Sequence, residues 1–234
     1  FGWPGKALTP DSKTRYQAVI GLDQGRGSSP RTTLHKMEHH PDIPAPHSGP
    51  AVAPPGDLAI WFFILAELLA FGVFFAAYAF ARAHNVELFN EMQQTLDRPA
   101  GALNTVLLIT ASWCVARGVE ATSRARSATG ARWLAGGILC GGGFLVVKGV
   151  EYAAKFGAGI NLSTNTFYMF YLSLTFFHFM HVILGMIILI VLWWQTRQGV
   201  YGPADMNGIE SGAAYWHMVD LVWIVLFPLV YVMR

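Results

Sequence analysis

The sequence predicts an all-α, polytopic membrane protein: a bundle of five transmembrane helices preceded by a polar, loop-like N-terminal tail. Of its 234 residues, 53% are hydrophobic and 13% are charged, whereas a soluble domain carries about 25% charged residues. Five long apolar stretches follow one another after the tail. They are continuous rather than alternating, which favours helices over membrane-spanning strands. The net charge of +2 is too small for a nucleic-acid-binding surface.

The N-terminal tail is predicted over residues 1–56. It is rich in polar residues and proline, and it lacks the apolar surface that a segment needs in order to fold alone. Its histidines suggest a metal site as an alternative, but the composition favours a solvated tail. These histidines are His35, His39, His40 and His47.

The transmembrane domain is predicted over residues 57–234. A helix needs about 20 residues to cross roughly 30 Å of hydrocarbon, and each apolar stretch meets that length. Proline, glycine or charge separates the stretches, as at Pro55-Gly56-Asp57 and at Gly202-Pro203. The predicted spans are about 58–82, 102–121, 131–154, 167–195 and 214–233. Gly137 and Gly141, four residues apart, predict a close helix approach and make the third span the central one.

The distribution of arginine predicts the orientation. The loop at 122–130 and its margins carry Arg117, Arg124, Arg126 and Arg132. Because loops rich in Lys and Arg stay in the cytoplasm, this loop is predicted to be cytoplasmic. With five spans, the N-terminus is then cytoplasmic and the C-terminus lies outside.

Glu67 is the ionisable residue placed deepest in the first span. It lies about ten residues from the start of that span, which is near the bilayer centre at about 1.5 Å per residue. A charged residue at that depth costs at least about 2.5 kcal/mol unless it faces protein or water. Two interpretations stay open: a carboxylic acid that bonds a neighbouring helix, and a group that gives protons or substrate access to the bundle.

The third span contains two residues of opposite charge. Lys148 and Glu151 are three residues apart, so they can pair along one helix face. Tyr152 follows directly and is expected to place its hydroxyl at the outer membrane interface.

Four polar residues of the last two spans form two pairs at the same spacing. His178 and His181 are three apart on the fourth span, and His217 and Asp220 are three apart on the fifth. An Asp beside a His suggests a helix-to-helix hydrogen bond that fixes the imidazole tautomer. A metal or haem would need further ligands in suitable geometry, and neither HExxH nor CxxC occurs. The favoured interpretation is therefore buried, hydrogen-bonded histidines or contacts with lipid headgroups.

Five motifs, in a fixed order over residues 58–234, carry a family resemblance. The chain resembles subunit III of the haem–copper oxidases, the cytochrome c oxidase third-subunit family. Its five spans, against seven in long members of that family, are similar to the short relatives, which include the accessory subunit encoded with bacterial nitric oxide reductases. The motifs are ILAELLAFGVFFAAY around Glu67, Leu103-Asn104-Thr105, Glu151-Tyr152, Phe177-His178 with His181-Val182 and Gly185, and Tyr215-Trp216-His217 with Val219-Asp220 and Trp223.

The resemblance implies a non-catalytic subunit of a respiratory oxidase in the bacterial inner membrane. Such a subunit stabilises the large haem-containing catalytic subunit and supports proton or gas access, here through Glu67. The chain itself is expected to bind no metal; haem and copper or iron belong to the partner subunit, and phospholipid is a candidate ligand. The residues expected to form an interhelical polar seam or lipid contacts are Glu151, Tyr152, His178, His181, His217, Asp220 and Trp223.

Three alternatives to the oxidase subunit stay open at the level of sequence. The chain could be the accessory subunit of a nitric oxide reductase complex in denitrification. It could be a stand-alone proton-conducting membrane protein, although no repeated halves or broken helices favour that class. It could also be an assembly factor that leaves the mature oxidase.

Overall fold

The computed structural model of the protein describes residues 58–233, and the tail predicted at 1–56 lies outside these residues. The described chain is helical, apart from its connections and one isolated antiparallel β-bridge between Gly202 and Asp205. The all-α prediction is therefore confirmed. The elements are α1 (Leu58–His84), α2 (Val86–Gln93), α3 (Arg98–Ser123), α4 (Ser127–Gly157), α5 (Thr166–Arg197), α6 (Asn207–Phe227) and a terminal π-helical turn (Pro228–Val232).

Five of these helices are long and apolar enough to cross a membrane, which confirms the number of spans within the described chain. They extend beyond the predicted apolar stretches because each continues into polar residues at its ends. Helix α4, for example, has 31 residues and is about 46 Å long at 1.5 Å per residue. Hydropathy predicts only the apolar part of a helix. The backbone hydrogen bonds of the helix continue beyond that part into the polar residues.

Helix α2 was not predicted, since the segment between the first two spans reads as a loop. It has eight residues, too few and too polar to stand out as an apolar stretch. Its place in the fold depends on Phe89, which is fully buried, and on Gln93. The Gln93 side-chain amide donates to the Val230 carbonyl at 2.9 Å. Helix α2 therefore ties the α1–α3 connection to the C-terminal turn.

Side-chain caps and glycines define several helix ends. The Asp97 carboxylate accepts from the Ala100 amide at 3.0 Å at the start of α3, and the Asn165 side chain accepts from the Tyr168 amide at 2.8 Å at the start of α5. Each such cap contributes about 1 kcal/mol. Gly159 and Gly199 follow α4 and α5 with φ of +77° and +74°, a conformation that ends helices at low cost for glycine.

Helix α6, rather than α4, is the most enclosed span. In its most apolar 18-residue window 56% of residues are buried, against 28% for α4 and 11% for α1. The close helix approach predicted at the α4 glycines is present. Gly137 faces Val115 on α3, and Gly141 faces Met186 on α5 and Trp216 on α6. Close approach on these sides leaves the outward face of α4 uncovered, so glycines indicate contact but not centrality.

We expect Gly141→Ala to destabilise the bundle. A Cβ atom there would lie 2.8 Å from the Trp216 ring and 2.6 Å from the Met186 sulphur, and overpacking of this kind costs about 1–3 kcal/mol. Thermal unfolding of the purified protein in detergent measures the loss.

Gly142→Ala is the matched control, because a Cβ atom at Gly142 has no heavy atom within 4 Å. It should be neutral or should stabilise by up to about 1 kcal/mol through helix propensity. Equal unfolding temperatures for the two variants would contradict the close packing at Gly141.

Candidate functional site

The structure divides the predicted polar residues among separate contacts instead of joining them in one seam. One contact links α1 to α5, a second links α4 to α5 and the C-terminal turn, and a third links α3 to α6. His178 lies between them without a hydrogen-bond partner among the described residues. Residues three apart lie on the same side of a helix, but each of these side chains has different neighbours.

Glu67 and His181 join the first and fifth helices of the described chain. Glu67 Oε2 lies 3.0 Å from His181 Nε2, and His181 Nδ1 lies 2.7 Å from the Phe177 carbonyl oxygen. Because a carbonyl oxygen can only accept, Nδ1 carries a proton. Nε2 faces the Glu67 carboxyl group, so the contact joins an acid and a base that lie on two different helices.

The Glu67–His181 pair is not sealed within the bundle. The side chains are 21% and 11% exposed, respectively. The Phe177 and Phe71 rings cover the imidazole at centroid distances of 4.6 and 5.2 Å. Glu67 lies nine residues into α1, about 13 Å along the helix. The contact between α1 and α5 is therefore partly open at the surface of the described chain.

Lys148 and Glu151 form an ion pair that is enclosed by protein. The Lys148 ammonium lies 3.0 Å from Glu151 Oε2, and the two side chains are 0% and 6% exposed. The other carboxylate oxygen accepts from two hydroxyls, Tyr171 at 2.5 Å and Tyr231 at 2.9 Å. Both carboxylate oxygens are thus satisfied inside the bundle, as a buried charge requires.

Aromatic rings surround the Lys148 ammonium. Four ring centroids lie 5.1–5.7 Å from Nζ, within the range of cation–π attraction. The same Nζ lies 2.5 Å from the Tyr231 hydroxyl. These rings come from α4, α5, α6 and the terminal turn, so the ammonium connects four elements. They belong to Tyr152, Tyr171, Trp223 and Tyr231.

Two residues of this cluster carried no sequence signal. Tyr171 and Tyr231 lie in apolar stretches and belong to none of the motifs from which sites were predicted. Tyr152, expected at the outer interface, is 6% exposed and turns its ring toward Lys148. A buried ion pair needs hydrogen-bond and cation–π partners inside the protein, and these tyrosines provide them. The sequence did not show that the pair is buried, so it did not indicate these partners.

His178 is fully buried among aromatic rings. The Trp223, Phe144 and Phe71 centroids lie 5.3, 5.8 and 6.3 Å from its own. Within residues 58–233 neither of its nitrogens has a hydrogen-bond partner. Trp223 instead donates its indole N–H to the Thr105 hydroxyl at 3.0 Å. His178 therefore packs as an aromatic side chain, although the spacing predicted a polar role.

His217 and Asp220 do not bond one another. His217 Nδ1 lies 2.6 Å from the Ser112 hydroxyl, which joins α6 to α3. Asp220 is 7% exposed, and one of its carboxylate oxygens has no partner among the described residues. The helix-to-helix contact of His217 is made with Ser112, which carried no sequence signal, and not with Asp220. Within residues 58–233 no three His, Cys, Asp or Glu side chains are grouped as metal ligands would be.

The positions of these contacts coincide with the motifs that carry the family resemblance. A profile described as "Cytochrome c oxidase subunit III" matches residues 47–234. The chain belongs to this family. Glu67, Glu151, His181 and His217 are thus residues through which this cytochrome c oxidase subunit III chain joins its helices.

Several relatives of this subunit III chain carry the name "Cytochrome c oxidase subunit 3". A protein of Synechocystis sp. is 33% identical over 172 residues, or 73% of this chain and 72% of the relative. A protein of Thermostichus vulcanus is 30% identical over 75% of this chain and 86% of its own length. A protein of Corynebacterium diphtheriae is 29% identical over 81% of this chain and 95% of its own length.

We expect the buried ion pair to behave as a unit in a double-mutant cycle. Lys148→Met leaves a buried carboxylate without its cation, and Glu151→Leu leaves a buried ammonium. Each should cost about 3–5 kcal/mol, whereas replacing both residues together should cost less than the sum. Denaturant unfolding of the four proteins in detergent micelles measures the coupling.

Tyr231→Phe is the control for the loss of a hydroxyl partner. It keeps the ring over Lys148 and removes one hydrogen-bond donor to Glu151. Additive losses in the Lys148 and Glu151 variants would show that the two charges do not depend on each other.

Proposed function

We propose that the chain is the non-catalytic third subunit of a respiratory cytochrome c oxidase. In this proposal it docks on the large catalytic subunit, stabilises it and supports its proton or gas supply. The haem and copper are held by that partner. The family membership supports the assignment to an oxidase complex, and the oxidase names of the relatives favour it over a nitric oxide reductase.

The exposure of α1 supports docking on a larger membrane subunit. This helix has the highest mean hydropathy of the spans, shared with α5, and the smallest buried fraction within the described chain. Its outward residues Phe62, Leu69 and Phe80 are 67%, 70% and 69% exposed. An apolar face of this size contacts lipid or another subunit. The proposal assigns part of it to the catalytic subunit.

The Glu67–His181 contact is the observation that carries the functional part of the proposal. It is a partly exposed contact between an acid and a base, and Glu67 lies on α1, the span with the smallest buried fraction within the described chain. A buried group that can gain or lose a proton beside a docked subunit can exchange that proton with the partner or with water at their boundary. In contrast, the Lys148–Glu151 pair is enclosed and serves the fold.

In the proposed orientation the chain spans a bacterial inner membrane, and its N-terminus lies on the cytoplasmic side. Support comes from the α3–α4 connection, where Arg124 and Arg126 lie beyond the end of α3 and Arg132 lies in the early turns of α4. The opposite side of the bundle, with the α4–α5 connection, then faces outward.

Purification of the tagged chain in mild detergent tests the assignment. We expect co-elution with a haem-containing chain at a fixed stoichiometry and oxygen-reducing activity of the complex. Nitric oxide reduction without oxygen reduction would contradict the oxidase assignment. A haem-free oligomer that moves protons in liposomes would contradict the subunit role altogether, and loss of the chain from the mature complex would identify an assembly factor.

Glu67→Ala should leave the haem spectra of the complex unchanged and lower its sustained turnover. The lost interhelical bond should cost about 1 kcal/mol of stability, and the catalytic subunit should lose a proton-exchanging neighbour. Oxygen consumption followed over many turnovers, alongside absorption spectra, measures both effects.

Glu67→Gln is the matched variant, since its amide N–H can donate to His181 Nε2 and keep the α1–α5 contact without exchanging a proton. If proton exchange matters, Glu67→Gln should lose sustained turnover as Glu67→Ala does. Normal turnover in Glu67→Ala would leave the pair with a packing role alone.

A further inference from the structure

A groove runs between the start of α4 and the end of α5, away from all the contacts described above. Its volume is about 480 Å³. Helices α4 and α5 are antiparallel neighbours, so the groove opens on the same side of the bundle as the α3–α4 connection. Its lining combines small apolar, aromatic and basic side chains: Ala128, Ala131, Arg132, Ala135, Trp193 and Arg197.

The two arginines of this groove are exposed and have no ion-pair partner among residues 58–233. Neither Arg132 nor Arg197 forms an ion pair or a side-chain hydrogen bond with any residue in the part of the chain that the structure describes. Nearby Arg117 and Arg124 differ, because both pair with Glu120, at 2.6 and 2.7 Å. The free guanidinium groups therefore offer several N–H donors in the planar arrangement that suits a phosphate.

The floor of the groove is shaped for a hydrocarbon chain. Ala128, Ala131 and Ala135 follow one another at spacings of three and four residues, which places them on one face of α4. Ala128 and Ala131 lie between Arg132 and the helix end, whereas Ala135 is three residues, about 4.5 Å, farther into α4 and lines the channel that continues inward from Arg132. Trp193 forms the opposite wall, and its ring lies 5.3 Å beneath the Arg197 guanidinium. Tryptophan at this level is typical of the membrane interface.

We propose that this groove binds an anionic phospholipid. The phosphate lies between Arg132 and Arg197, and an acyl chain runs past Ala135 and Trp193 toward the bilayer centre. Charge complementarity selects an anionic lipid over a zwitterionic one, because the two guanidinium groups carry two positive charges and have no carboxylate partner among residues 58–233. Basic pockets between transmembrane helices are known binding places for anionic headgroups. This site is distinct from Glu151, His178 and the other residues from which the sequence predicted lipid contacts.

Native mass spectrometry of the purified full chain tests the proposal, with phosphatidylglycerol and phosphatidylcholine as probes. We expect phosphatidylglycerol to bind with defined stoichiometry and phosphatidylcholine to bind at least about tenfold more weakly. The variant Arg132→Gln/Arg197→Gln should weaken phosphatidylglycerol binding by about 25-fold, roughly fivefold for each arginine near the surface. Inorganic phosphate at the same concentrations should not compete, since it lacks the acyl chain.

Arg124→Gln is the matched control: it removes one positive charge from the same side of the bundle, outside the groove. It should change the affinity by less than about twofold. An equal loss in Arg124→Gln and in the groove variants would mean that surface charge in general attracts the lipid, and the site would be wrong.

Ala135→Phe gives an independent test that leaves all charges in place. The ring should fill the channel and reduce phosphatidylglycerol binding by at least fivefold, a loss that a purely electrostatic attraction does not predict. Undiminished binding in Ala135→Phe, or competition by inorganic phosphate alone, would overturn the proposal. Unfolding curves in lipid-free detergent confirm that each variant is folded before binding is compared.

Discussion

The bundle is organised around a charge pair that hydrocarbon does not tolerate. Lys148 and Glu151 are enclosed in the apolar part of the structure, with side chains that are 0% and 6% exposed. A buried ion pair is retained only where its remaining donors and acceptors are satisfied. Tyr171 and Tyr231 provide those partners, which fixes the start of α5 and the C-terminal turn against α4. The Gln93 contact to Val230 then holds α2 to the same turn.

The second ionisable pair differs in one physical respect, which is access. Both pairs are hydrogen-bonded between an acid and a base, but Glu67 is partly exposed on the least covered helix, whereas Glu151 is sealed by tyrosines. Enclosure limits the Lys148–Glu151 pair to contacts within the bundle, whereas Glu67 is partly exposed at the proposed docking face. For this reason the proposed function rests on Glu67 and not on Glu151.

The sequence contained enough to predict the five spans, because membrane insertion depends on local hydropathy and length. It did not predict the partners of the polar residues. A spacing of three shows that His178 and His181 share one side of α5, but 60° of rotation between them places His181 against α1 and His178 among aromatic rings. Ser112, Tyr171 and Tyr231 were missed because a partner is chosen by helix crossing and register, which no local pattern contains.

The basic side chains at the two ends of the bundle also differ in their hydrogen-bond partners. On the side of the α4–α5 connection, Lys155 donates to the Thr95 carbonyl at 2.8 Å and Arg82 donates to the Met233 carbonyl at 2.5 Å, so these cations hold the backbone together. On the side of the α3–α4 connection, Arg132 and Arg197 have no such acceptors among the described residues. Among the arginines that predict a cytoplasmic side, Arg117 and Arg124 pair with Glu120, whereas Arg132 is left to the phosphate group of the proposed lipid site.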